Sequence, residues 1–267
     1  MTTKIVAIGG GENGRISSSK EQTPYELYEI DKEIVDLTKK EKPNFLFLAH
    51  SQIPWSEESE IKYFETMKKI YGDIFGCNCQ MIKISELKSN KENVIEKVNW
   101  ADIIYEGGGD TYDMIELWNE TGFDKILKEA WKKGKVMCGI SAGAIAWFSL
   151  GNTKDPRFIN EECNKISGLG FIDAYISPHC QGEGKRESEI RSLKYIDKVG
   201  LSLSNCCALE IIDDKYRIIK SIPQDKNFTP YALKTYYLDN KCITEELNNN
   251  NEFNLLDDLL TKTKSNK

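Results

Sequence analysis

A serine stands between two glycines at Gly139-Ile140-Ser141-Ala142-Gly143, where the apolar run Val136–Ile140 gives way to a helix-forming run over 142–148. The pattern G-x-S-x-G between a strand and a helix is that of a nucleophile elbow. A sharp turn lifts the hydroxyl off the end of the sheet, and the flanking glycines relieve crowding. The start of the next helix offers unpaired N–H groups to a developing oxyanion. The plainer alternative is a helix-capping serine in a Gly/Ala turn. A serine nucleophile needs a base, and the chain has only two histidines, His50 and His179. His50 ends the apolar run 44–50 and reads as a strand-terminal residue bonded to loop backbone. His179 follows Pro178 in YISPHCQGEG and is presented by a glycine-rich loop after a short apolar segment, which suits a general base.

Two glycine-rich stretches follow strands. Gly107-Gly108-Gly109-Asp110 lies between the strand DIIYE and the helix TYDMIELW. Bare backbone there lets an N–H point into a site, and Asp110 or Thr111 can cap the helix. Gly9-Gly10-Gly11-Glu12-Asn13-Gly14 fits the dinucleotide fingerprint, with Glu29 or Asp31 near the expected position of a ribose-binding acid. That motif needs a helix to open at once so that its N-terminus meets the pyrophosphate. Here RISSSKEQTP intervenes, which favours a flexible turn at a strand's carboxyl end. Two cysteines are weaker candidates. Cys138 lies inside an apolar strand, the ordinary place for a small buried thiol. Cys180 neighbours His179, but adjacent residues of an extended segment point apart.

Taken in order, EGGGDTYDMI, GISAGAIAWF and SPHCQGEGKRESEIRSL resemble the peptidase E family of serine peptidases, over roughly residues 4–220. The resemblance implies an α/β fold related to class I glutamine amidotransferases. It also implies hydrolysis of short peptides, typically dipeptides with an N-terminal aspartate, through an acyl-enzyme. Carried over residue by residue, it makes Ser141 the nucleophile and His179 the base. The backbone N–H groups of Gly108, Gly109 and Ala142 become the oxyanion hole, and Arg186, in KRESEIRSL, becomes the substrate-binding cation. An arginine fork suits a carboxylate. The acid that orients the histidine stays open among Asp155, about where one branch of the family has an aspartate, Glu183 and Glu210. Two positions depart from the family pattern: Asp110 stands for an asparagine and Cys180 for an aromatic residue. They leave room for a related acyl or isopeptide hydrolase of different specificity. A non-catalytic binding protein, holding a nucleotide at 9–14, is the remaining alternative.

The elements that must position these residues alternate. Apolar strands at 4–9, 44–50, 81–84, 102–109 and 136–140 are separated by helical patterns, such as Leu27, Ile30, Ile34 and Leu37 at three- and four-residue steps. This rhythm predicts a three-layer α/β/α fold with a mostly parallel sheet covered on both faces. CALEIIDDKYRIIK, 207–220, predicts a C-terminal antiparallel hairpin. The domain expectation is a single unit over 1–245, then a polar linker and short tail over 246–267. The 267 residues, 40% apolar and 29% charged, suffice for a sizeable core, and a net charge of −6 argues against a nucleic-acid partner. No apolar run approaches the ~20 residues that span a bilayer, and the start is too short in apolar residues for a signal peptide. Together with eight cysteines lacking a CxxC pair, this gives the expectation of a cytoplasmic protein with reduced thiols. The Cys77/Cys79 pair has no histidine near it in sequence, so no metal is expected. No other cofactor and no membrane contact are expected either. The expected partner is a small peptide substrate, and the expected state is a monomer or homodimer.

Overall fold

The structure is a computed structural model that describes residues 2–16, 21–247 and 252–263. The chain runs β1 (Lys4–Ile8), α1 (Tyr28–Asp36), β2 (Asn44–Leu48), α2 (Glu57–Lys68), β3 (Asn78–Ile82), α3 (Ile84–Ser89), α4 (Lys91–Trp100) and β4 (Ile103–Glu106). It continues through α5 (Thr111–Thr121), α6 (Phe123–Lys132), β5 (Val136–Ile140), α7 (Ala142–Ala146), β6 (Phe148–Gly151), β7 (Ile166–Ser167) and β8 (Ile172–Pro178). It closes with α8 (Lys185–Leu193), β9 (Gly200–Leu203), β10 (Cys207–Ile212), β11 (Lys215–Lys220), β12 (Ala232–Leu238), β13 (Lys241–Glu246), β14 (Asn254–Leu255) and α9 (Leu256–Leu260).

An eight-stranded sheet has the order β14-β11-β10-β1-β5-β4-β2-β3. Its half from β1 to β3 is parallel, and β10, β11 and β14 continue it antiparallel. The hairpin expected over 207–220 is β10 and β11, turning at Asp213 and Asp214. Alternate residues of one strand enter two separate cores. Ile5, Leu46, Leu48, Ile104 and Met137 pack with Val94, Trp118 and Leu127 on one face. Val6, Phe45, Phe47, Ile103 and Cys138 pack with Ile30, Ile34 and Met67 on the other. A sheet apolar on both faces must be covered by helices on both, which is the layered arrangement the sequence predicts.

The sequence predicts one sheet; the structure has two. The second has the order β13-β12-β9-β8-β6-β7, with β6, β8 and β9 parallel to one another. Its Ile172, Ile176, Leu201 and Leu203 join the first core cluster. Trp118 and Trp147, both fully buried and stacked at 6.0 Å, belong to the same cluster. Truncating a core tryptophan costs about 3–5 kcal/mol, a large part of a domain's net stability. The asparagine run 248–251 of the expected linker lies outside the described residues. Beyond it, β14 pairs with β11, and Leu259 of α9 is buried. Among the described residues no helix is long and apolar enough to cross a membrane.

Both ribose-acid candidates are engaged inside the fold. Glu29 accepts from the Ser221 hydroxyl. Asp31 is buried and accepts the hydroxyls of Tyr25 at 2.8 Å and Tyr71 at 2.7 Å. Burial outweighs those two bonds and pushes the Asp31 carboxyl up to about 7. A carboxyl whose folded pKa is raised contributes stability below its unfolded value, and that contribution is lost as pH rises through about 7. Urea denaturation at pH 5 and pH 8 should therefore show Asp31→Asn gaining on the native protein as pH rises. Parallel pH dependences in the two proteins would contradict the assignment.

Candidate active site

β1 and β5 are parallel, so Ile8 and Ile140 leave the large sheet at the same edge. β8 and β9 are parallel in the second sheet, and Pro178 pairs with Leu203 at their ends. Two consecutive carbonyls at the end of β1 join these edges. Ser141 donates its N–H to Ile8 O at 3.1 Å, and His179 donates its N–H to Gly9 O at 2.9 Å. Serine and histidine, thirty-eight residues apart, are thus fixed to neighbouring peptide units. Both line one cavity of about 470 Å³.

Ser141 adopts φ 57 and ψ −112, a left-handed backbone that costs a non-glycine residue about 1–3 kcal/mol. Its flanking glycines are sterically required. A Cβ at Gly139 would meet the Gly143 carbonyl at 2.6 Å, and one at Gly143 would meet Glu106 O at 2.2 Å. The turn is held by Gly143 N–H to Gly107 O at 3.1 Å, while Ser141 O accepts from Ala144 at 3.0 Å. The Gly107–Gly109 turn lies beside the serine: a Cβ on Gly108 would sit 3.9 Å from Ser141 Oγ. The Gly108 N–H donates to the Tyr63 hydroxyl at 3.1 Å and is therefore taken. The N–H groups of Gly109 and Ala142 make no hydrogen bond among the described residues. Asp110 caps α5 by accepting from Asp113 N at 2.8 Å.

His179 Nδ1 lies 2.7 Å from Asn205 Oδ1. None of the three acids proposed from sequence touches the ring. Asp155 lines the cavity but accepts from Arg157 Nε at 2.8 Å, and that guanidinium holds its carboxyl below the usual range. Glu183 is exposed. Glu210 is fully buried on β10, with Arg217 Nε at 2.6 Å. Burial pulls the His179 pKa down, and Lys185 and Lys154 add to this, against the Asn205 bond. Gly9 and Gly10 make room for this histidine loop. A Cβ on Gly10 would stand 2.3 Å from both the His179 ring and Asn205 Oδ1, and one on Gly9 would stand 2.3 Å from Ser204 O. The fingerprint-like glycines serve this close approach.

Arg186 is not among the residues that line the cavity. It pairs with buried Glu189 at 2.9 Å and donates to Ser202 Oγ at 2.7 Å and Thr235 Oγ1 at 3.2 Å, which fastens α8 to the second sheet. The cations lining the cavity are Lys154, Arg157 and Lys185. Arg157 is engaged by Asp155 and lies 3.6 Å from Asp110. Lys154 and Lys185 have no carboxylate partner among the described residues. Burial and Lys154 both lower the Lys185 pKa, so its charge is held at a cost while no anion is present. The backbone of Lys185 is pinned by Asn152 Nδ2 on its carbonyl at 3.1 Å. Sequence reasoning missed Tyr63, Asn205, Lys154 and Lys185. Among the described residues no cluster of three or more His, Cys, Asp or Glu could hold a metal ion.

The Peptidase family S51 model matches residues 15–219. The chain belongs to peptidase family S51. This S51 peptidase is 31% identical to the uncharacterized peptidase YgaJ of Bacillus subtilis (strain 168) over 215 residues, 79% of this chain and 84% of that one. It is 30% identical to peptidase E of Salmonella arizonae over 107 residues, 37% of this chain and 46% of that one. Its fold is similar to that of a peptidase from an acI-B1 Actinobacterium, with TM-score 0.70, 18% identity, and 96% and 97% of the two chains covered. It is also similar to that of a putative peptidase E protein from Listeria monocytogenes EGD-e, with TM-score 0.59, 17% identity, and 82% and 99% covered.

The other candidates of the S51 peptidase are structural groups. His50 is fully buried, with Nε2 2.9 Å from Ile82 O, and Nδ1 accepts Trp118 Nε1–H at 2.9 Å. Burial drives its pKa to about 4. Cys138 is buried within β5, and burial raises the Cys180 thiol to about 11. Replacing each histidine separates the two roles. His50→Ala should cost about 1–3 kcal/mol through the orphaned Trp118 and Ile82 groups, leaving peptide turnover per folded molecule intact. His179→Ala should abolish turnover with the melting temperature little changed. The reverse pattern would contradict the assignment.

Proposed function

We propose that this S51 peptidase is a serine hydrolase of short peptides, acting through an acyl-enzyme on Ser141, with aspartyl dipeptides as the expected substrates. The single observation that carries the reading is the double tether at β1, which sets Ser141 and His179 on one cavity beside two unpaired amides. Membership of family S51 supports the peptidase chemistry, and the dipeptide class is what the resemblance of GISAGAIAWF and SPHCQGEGKRESEIRSL to the peptidase E family implies.

Ser141 Oγ attacks the scissile carbonyl carbon while His179 Nε2 takes the hydroxyl proton. The carbonyl oxygen becomes an oxyanion and accepts from the Gly109 and Ala142 N–H groups, which need no reorganisation to receive it. His179 then protonates the leaving amine as the C–N bond breaks. Water attacks the acyl-enzyme with His179 again as base, which releases the acid and restores Ser141. Lys185 and Lys154 take the substrate carboxylate, the role that the family resemblance gives to Arg186. A carboxylate between them offsets, by its opposite charge, both the burial cost and the repulsion from Lys154 that depress Lys185.

Ser141→Ala should lower turnover of Asp-Xaa dipeptides by about 10⁴-fold or more, with circular dichroism unchanged. Lys185→Met should lower kcat/KM for Asp-Xaa by about 10–100-fold, the worth of one charge-assisted hydrogen bond. Turnover of neutral dipeptides should change far less. Full activity in the serine variant would overturn the reading, and equal losses on acidic and neutral dipeptides would remove Lys185 from substrate choice.

A further inference from the structure

A serine–histidine pair ordinarily has a carboxylate on the far nitrogen of the imidazole. Here that place is held by an amide, and two of the acids the sequence offered are committed elsewhere: Asp155 to Arg157 and Glu210 to Arg217. We infer that Asn205 is the positioning residue for His179, its side-chain carbonyl accepting the hydrogen bond of Nδ1–H and leaving Nε2 as the acceptor, with no carboxylate bonded to the ring. This deepens the proposed function and rests on it for its catalytic meaning.

The placement of Asn205 is built into the backbone. β9 runs parallel to β8, so the residues after Leu203 leave the sheet beside the histidine. Asn205 N–H donates to Gln181 Oε1 at 3.1 Å, and Asn205 O accepts from Ser204 Oγ at 3.0 Å. Cys206 N–H donates to Gly10 O at 2.9 Å, so the loop is closed onto the same segment that holds His179. The bare α-carbon of Gly10 then backs both partners at once. The amide oxygen sits 2.7 Å from Nδ1, the orientation in which a neutral imidazole can donate from that nitrogen.

An amide orients the ring as a carboxylate does but differs in charge. A carboxylate beside an imidazolium stabilises it by Coulomb attraction and raises its pKa, typically by about 1–3 units; a neutral carbonyl supplies only the hydrogen bond. The charged groups facing His179 are Lys185 of α8, Lys154 between β6 and β7, and Glu12 between β1 and α1. Burial disfavours the imidazolium most and both lysines add to it, against the Asn205 bond and Glu12. The base therefore stays neutral, and able to accept a proton, further into acid than a carboxylate-backed histidine.

The test uses the chain's two histidines. In ¹⁵N-histidine-labelled full-length protein, His50 serves as the internal reference. NMR titration should show His179 as the Nδ1–H tautomer once neutral. Asn205→Asp should raise its pKa by more than about one unit, and Asn205→Ala should shift the neutral ring toward the Nε2–H tautomer. The acid limb of Ser141 labelling by a fluorophosphonate should move upward with the Asn205→Asp pKa. A native Nε2–H tautomer, or an Asn205→Asp pKa that does not move, overturns the inference, and the native tautomer decides it even where a variant fails to fold. Absence of labelling with the expected tautomer and pKa would leave Asn205 in place and sink the serine hydrolase instead.

Discussion

Everything at this site depends on two adjacent carbonyls at the end of one buried strand. Ile8 O holds the backbone of Ser141 and Gly9 O holds that of His179. The first bond extends the parallel ladder of the large sheet, and the second draws in the smaller sheet through β8. Neither sheet alone could carry both side chains. The left-handed backbone of Ser141 and that of His179, with φ 57 and 53, are each the kind of strain that persists only where surrounding bonds over-determine it. Bare backbone at Gly10, Gly139 and Gly143 lets the segments approach closely enough for those bonds to form.

The electrostatics of the cavity follow from which charges are already satisfied. Asp155 and Asp110 face it, but Arg157 lies between them and stacks over the Tyr112 ring at 4.7 Å. Glu189 neutralises Arg186 behind α8. Among the described residues Lys154 and Lys185 are the cations of the lining without a carboxylate partner, next to a histidine whose hydrogen-bond partner is neutral. An anionic substrate group would supply the charge that the protein withholds. On this account substrate choice and the protonation of the base share one local field, so a carboxylate bound at Lys185 would also ease formation of the imidazolium.

Some of this was legible before folding. G-x-S-x-G after a fully apolar strand and a histidine after Pro178 are local patterns, and the strand–helix alternation predicts a layered parallel sheet. The glycines at 9–14 were legible as a feature but not as a purpose, because what fills the space above Gly10 comes from residues 179 and 205. Asn205 had no signal of its own. A lone asparagine in LSNCC becomes informative only once GLSL is known to run parallel to β8. Lys185 and Arg186 are neighbours, and one residue rotates a helix position by about 100°. A sequence resemblance therefore cannot decide which of the two faces the cavity. Of the second sheet, β6, β7 and β9 are too short to display a two-residue period.

The most direct test of the account is a crystal structure of the protein with an aspartyl boronic acid, which mimics the tetrahedral intermediate. The account predicts a covalent bond from Ser141 Oγ to boron. One boronate oxygen should lie on the N–H groups of Gly109 and Ala142, and the ligand carboxylate between Lys154 and Lys185. A boronate bound elsewhere, or one seated in the cavity without a bond to Ser141, would contradict it.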